Sequence, residues 1–208
     1  MSITLFVRRR AQAGQAAVFL AAAQRVLSEV GPLSPLRSAR LFQGLDDPGL
    51  FAWLTDWESI EALRAAPEAA EFRRAHDQWA AGPPEWSFFR AGTWYADISR
   101  PTVVAQLVLV ELPETGGADA LVLGAGPGAQ LTHTQPGLVA RTLYAGEENP
   151  RRYLVVNGWV SVDAWEQFRA DTMPRLHANL QARGVTITYF VGQTEGEYAR
   201  PVRRRVPG

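Results

Sequence analysis

The chain repeats itself, and this limits its fold more than any motif it carries. SARLFQGLDDPGLFAWLTDWESIEAL (38–63) is echoed by VARTLYAGEENPRRYLVVNGWVSVDAW (139–165), with Arg40 over Arg141, Pro48 over Pro150 and Trp57 over Trp159. A similar offset sets ITLFV (3–7) against VVAQLVLV (103–110), and the run 86–96 against 185–199. Self-similarity at this period means two copies of one folding unit. The copies meet near Ser99-Arg100-Pro101, so the expected division is 1–99 and 100–208.

Each copy has the same internal order. In the first, a strand at 3–9 precedes helical spacing over 14–30, which ends at Gly31-Pro32. Strands follow at 37–43 and 50–57, split by the turn signal Asp46-Asp47-Pro48-Gly49. A helical region at 58–80, broken at Pro67, leads to a last strand near 86–96. The order β-α-β-β-α-β is the ferredoxin-like unit, an α+β fold. Alternation in 50–57 puts Phe51, Trp53 and Trp57 on one face and Leu50, Ala52 and Leu54 on the other. Both faces are apolar, so helices cover one and the other copy's sheet must cover the second. The expectation is an eight-stranded barrel closed within one chain, present as a monomer or weak homodimer.

The repeat also disposes of a tempting motif. DALVLGAGPGAQL (119–131) carries G-x-G-x-x-A at the end of an apolar run, with Glu147 further on, as a dinucleotide site would ask. Under the repeat these residues coincide with 18–30, so they read as a degraded first helix of the second copy. Pro136-Gly137 cuts the segment short, and no long helix is left to aim its N-terminus at a pyrophosphate.

Composition removes further chemistries. Apolar residues make up 47%, charged residues 20%, and the formal net charge is zero, so no nucleic-acid or membrane surface is expected. Without cysteine there is no thiol nucleophile and no iron–sulfur ligation; without lysine there is no Schiff base. The three histidines form no paired metal motif. No signal-peptide core or membrane-spanning run is visible, so the expected location is cytoplasmic.

The candidate residues come from the same frame. His76 stands with Phe72, Ala75 and Trp79 at helical spacing, and His177 with Met173, Leu176 and Leu180, so each copy turns an imidazole inward. Arg40 and Arg141 share a strand position in the aligned repeats and could hold a phenolate or carboxylate. Trp53 and Tyr144 belong to an expected aromatic lining between sheet and helices, suited to a small aromatic or hydrophobic molecule.

DWESIEALRAAPEAAEFRRAH (56–76) resembles the strand-to-helix signature of antibiotic biosynthesis monooxygenase-like proteins, with Trp57, Glu58, Ser59, Phe72 and His76 in the family's places. GWVSVDAWEQF (158–168) with His177 is a weaker echo. The resemblance implies a dimeric-type α+β barrel, here fused, and two activities. The cofactor-free oxygenases use a strand amide and a nearby tryptophan. Asn157 and Trp159 match these in the second copy, with Thr55 and Trp57 in the first. In the haem-degrading branch, His76 matches the proximal ligand, but Ala66 replaces the helix tryptophan and no asparagine stands in 3–10. The expected function is a cofactor-independent monooxygenase of a phenolic molecule. Non-catalytic binding of a small hydrophobic ligand and haem binding are the alternatives.

Overall fold

The computed structural model describes residues 2–30, 35–66, 77–96, 100–114 and 134–199. The elements are β1 (Ile3–Arg10), α1 (Ala16–Val30), β2 (Leu36–Gly44), β3 (Leu50–Trp57), α2 (Ile60–Ala65), a 3-10 turn (Asp77–Trp79) and β4 (Glu85–Ala96). There follow β5 (Val104–Glu111), β6 (Leu138–Gly146), β7 (Arg152–Trp159), α3 (Val162–Asp171), α4 (Met173–Gln181) and β8 (Thr186–Ala199). His76 and the glycine-rich 119–131 lie outside the described residues.

The strands close a barrel in the order β1-β3-β2-β8-β5-β7-β6-β4, every neighbouring pair antiparallel. Within it, β4-β1-β3-β2 and β8-β5-β7-β6 are the same four-stranded arrangement, so two ferredoxin-like units form one α+β barrel. The units join along β2–β8 and β4–β6, which leaves no open sheet edge.

Local sequence explains the matching parts. Ser59 caps α2 by accepting from the Ala62 N–H, and Ser161 caps α3 by accepting from the Ala164 N–H. α2 stops at Ala66, whose extended backbone is what the following Pro67 favours. The β2–β3 turn is tied by Leu50 N–H to Asp47 O, and the β6–β7 turn by Arg152 N–H to Asn149 O. These turns fold so tightly that a Cβ on Gly44 or Gly146 would lie 2.5 Å from Asp47 O or 2.3 Å from Asn149 O.

Two layers of core result. Phe6, Phe42, Leu54, Phe89, Leu107 and Phe190 fill the barrel interior. Outside it, Phe19, Leu27, Phe51, Trp53, Trp57 and Leu63 pack in the first unit, and Trp159, Trp165, Phe168 and Met173 in the second. The Arg8-Arg9-Arg10 run is matched locally, to Glu85, Asp77 and Asp47 respectively. Among the described residues no helix is long and apolar enough to cross a membrane.

A chain ending near residue 99 would lose both seams and expose Phe6, Phe42, Leu54 and Phe89 to water. Sedimentation of that half is expected to show a dimer or aggregate; a well-behaved monomer would contradict the account of closure.

Candidate active site

Strand alternation sorts the chemistry-bearing residues onto two surfaces. On β7, Asn157 and Trp159 face the helices while Leu154 and Val156 face the barrel interior. Asn157 stands opposite Gln106 on β5 and Arg141 on β6, so three polar side chains meet across three adjacent strands. Asn157 and Gln106 are almost fully buried.

The bonds among them set their orientation. Arg141 Nη1 donates to Asn157 Oδ1 at 3.3 Å, and Asn157 Nδ2 donates to Gln106 Oε1 at 2.9 Å. Gln106 Nε2 in turn contacts Met173 Sδ on α4 at 3.5 Å. A guanidinium is donor-only, so the Asn157 oxygen has to face Arg141, and its amide nitrogen turns to Gln106. Among the described residues, one amide N–H of Asn157 is left without a partner.

Trp159 packs at 4.7 Å from Phe168 and 6.1 Å from Trp165, ring centre to ring centre. Its Nε1 is buried without a hydrogen-bond partner among the described residues, and so is His177 Nε2. His177 stands one helical turn after Met173 on α4, with its ring 5.7 Å from that of Tyr189 on β8. Asn157, Arg141 and Trp159 are thus brought together on one face, while His177 stands on α4 beside Tyr189 of β8.

The first unit is built differently at the same positions. Register places Leu5 opposite Thr55 where the second unit has Gln106 opposite Asn157, and Ala39 opposite Thr55 where it has Arg141 opposite Asn157. Trp57 Nε1 donates to Thr55 Oγ1 at 2.9 Å, so this tryptophan is satisfied internally. Trp53 is buried in the same layer, and Phe19 stacks on Phe51 at 4.6 Å. Thr55, Trp57 and Trp53 therefore form a closed apolar core among the described residues.

Arg40 requires a correction. Aligned by sequence it shares a position with Arg141, but pairing with Leu54 puts it one residue out of step, where the second unit has Thr142 opposite Val156. A one-residue slip reverses the face. Arg40 thus points into the barrel, where its Nη2 donates to Tyr144 Oη at 3.5 Å. Burial raises the Tyr144 pKa above its usual value, with the Arg40 charge opposing. Asp56, in the same interior, accepts from Thr4 and Ser38. Arg40 and Tyr144 are on the opposite side of the sheet from Trp53, Thr55 and Trp57.

Gln106, Met173 and Asp56 were missed by sequence reasoning. Gln106 is the lone polar residue of VVAQLVLV, and that signal could have found it.

Fold and site together define the class: a fused, dimeric-type α+β barrel with a polar cluster between sheet and helices in one half. Residues 2–78, within the first unit, match the family described as Antibiotic biosynthesis monooxygenase. No curated protein matches it. Among solved structures, the chain superposes on an anthrone oxidase-like protein with TM-score 0.74 at 13% identity, covering 95% of this chain and 93% of that one. A "putative monooxygenase" from Lactobacillus acidophilus gives 0.65 at 11% identity over 95% and 96%. One from Fusobacterium nucleatum gives 0.69 at 9% over 96% and 94%. At these identities the likeness is one of fold.

Burial draws the Arg141 pKa down to about 10. The folded protein therefore holds this proton less tightly than the unfolded chain. The resulting penalty is present at all pH values below about 10 and fades as pH rises beyond it. Arg141→Met is expected to stabilise the ligand-free protein at neutral pH by on the order of 1 kcal/mol, read as a higher melting temperature. A fall would show that the Arg141–Asn157 bond outweighs the desolvation.

Proposed function

We propose that the chain is a monooxygenase that acts without flavin, metal or haem on a phenolic, anthrone-like aromatic, at one site per chain in the second unit. The observation that carries this reading is the chain from half-buried Arg141 to buried Asn157 and Gln106 beside Trp159, which has no counterpart at the matching positions of the first unit. The family match and the anthrone oxidase-like neighbour support the reaction class.

In this reading the substrate ring lies against Trp159, and the free amide N–H of Asn157 donates to the substrate oxygen. Arg141 and Gln106 keep the amide from turning. His177 Nε2, which has no hydrogen-bond partner among the described residues, accepts the proton. Loss of that proton makes the substrate an electron-rich anion, and charge growing on its oxygen strengthens the Asn157 bond. The anion passes one electron to O2, and the two radicals combine as a peroxide on the carbon. That carbon gives up two hydrogens in all. One oxygen atom becomes its carbonyl, and the other leaves as water.

Oxygen uptake with anthrones and hydroquinones is expected to need no added cofactor and to fall about 100-fold in Asn157→Ala. Thr55→Ala, at the matching place in the first unit, should leave the rate unchanged. A folded Asn157→Ala protein as fast as the parent would defeat the reading. A parent that turns over no phenolic substrate would leave a binding protein.

A further inference from the structure

Several strand arginines of this protein are matched. Arg8, Arg9, Arg10, Arg90 and Arg152 each reach a carboxylate on a neighbouring element. Arg141 does not. Among the described residues its guanidinium bonds only to the neutral amide of Asn157, and no acid lies within ion-pair distance. It is nevertheless partly drawn out of water, on the helix-facing side of the second unit's sheet beside Asn157.

A permanent cation in such a place is costly unless an anion completes it. A phenol cannot do so on arrival, because it is neutral at physiological pH and becomes an anion only during reaction. The complement must already be charged when it binds. With one cation and one amide at hand, a singly charged planar group fits better than a doubly charged phosphate, and the arginine fork suits the two oxygens of a carboxylate.

We propose that the second-unit site selects an aromatic carboxylic acid, its ring beside Trp159 and its carboxylate on Arg141. This rests on the location of the site given above, though not on its turnover. It adds a specificity-determining role for Arg141 that the oxidation itself does not require.

The test is calorimetric titration under nitrogen with a hydroxynaphthoate and with the matching hydroxynaphthamide, which keeps the shape and loses the charge. The parent is expected to bind the acid at least about tenfold more tightly than the amide. Arg141→Gln should abolish that preference while binding the amide as before, and Arg141→Lys should retain part of it. Melting temperatures of both variants establish that they are folded. Equal affinity of the parent for acid and amide, or binding of neither, would overturn the proposal. So would a preference that survives Arg141→Gln, or that disappears in Arg40→Gln inside the barrel. Because no oxygen is present, failure of the oxygenase reading shows up separately, as selective binding of the acid without oxygen uptake.

Discussion

Each four-stranded sheet of this protein is apolar on both faces, and the rest of the architecture follows from that. Trp53 and Leu54 are neighbours on β3, point in opposite directions, and are both buried. Helices can cover only one of the two faces. The other has to find an equally apolar partner, and the nearest is the sheet of the second unit. Joining β2 to β8 and β4 to β6 covers that face and also pairs the exposed edges, so one event removes both liabilities. The barrel interior is then filled by side chains, and the layer between sheet and helices becomes the place where a site can form.

Covalent fusion changes what such a layer can do. In a dimer of identical units every substitution appears twice, whereas here the halves carry different residues at matched places. Leu5, Ala39 and Thr55 in one half correspond to Gln106, Arg141 and Asn157 in the other. The family match ends at residue 78, so the half that looks most like that family in sequence is the one whose layer is closed among the described residues. Sequence likeness and polar chemistry reside in different halves of the molecule.

How much of this could be read from the sequence depended on the range of the information needed. The repeat, the two-faced strands, the Ser59 and Ser161 caps and the tight turns are local signals, and they yield the element order and the barrel. The face on which Arg40 points is not local. Pro48 and Trp57 lie 102 residues before their matches, but Arg40 only 101 before Arg141, and each unit interrupts its second strand with an irregularity, at Leu36/Ser38 and Leu138/Ala140. The pairing keeps the offset of 102 throughout, so Thr142 and not Arg141 is the counterpart of Arg40, which faces the barrel interior. The Gln106–Asn157–Arg141 contact likewise needs three strands that are distant in sequence to be set in register. Gln106 is the one polar residue of an apolar run, a signal that was passed over, and its partners could not be named before the pairing was known.

The first unit serves as an internal control on the meaning of that contact. The same strand order under the same kind of helical layer closes there with a leucine, an alanine and a threonine, and its buried tryptophan is satisfied by Thr55. The fold therefore does not demand a buried arginine, amide and glutamine at these positions. Placing them there costs stability, through a desolvated guanidinium with no counter-ion and an indole N–H with no acceptor among the described residues. Polar groups that a fold neither needs nor fully satisfies are what a binding site looks like before its ligand arrives. The second unit departs from the first in this direction at three adjacent strands at once, which packing alone does not explain.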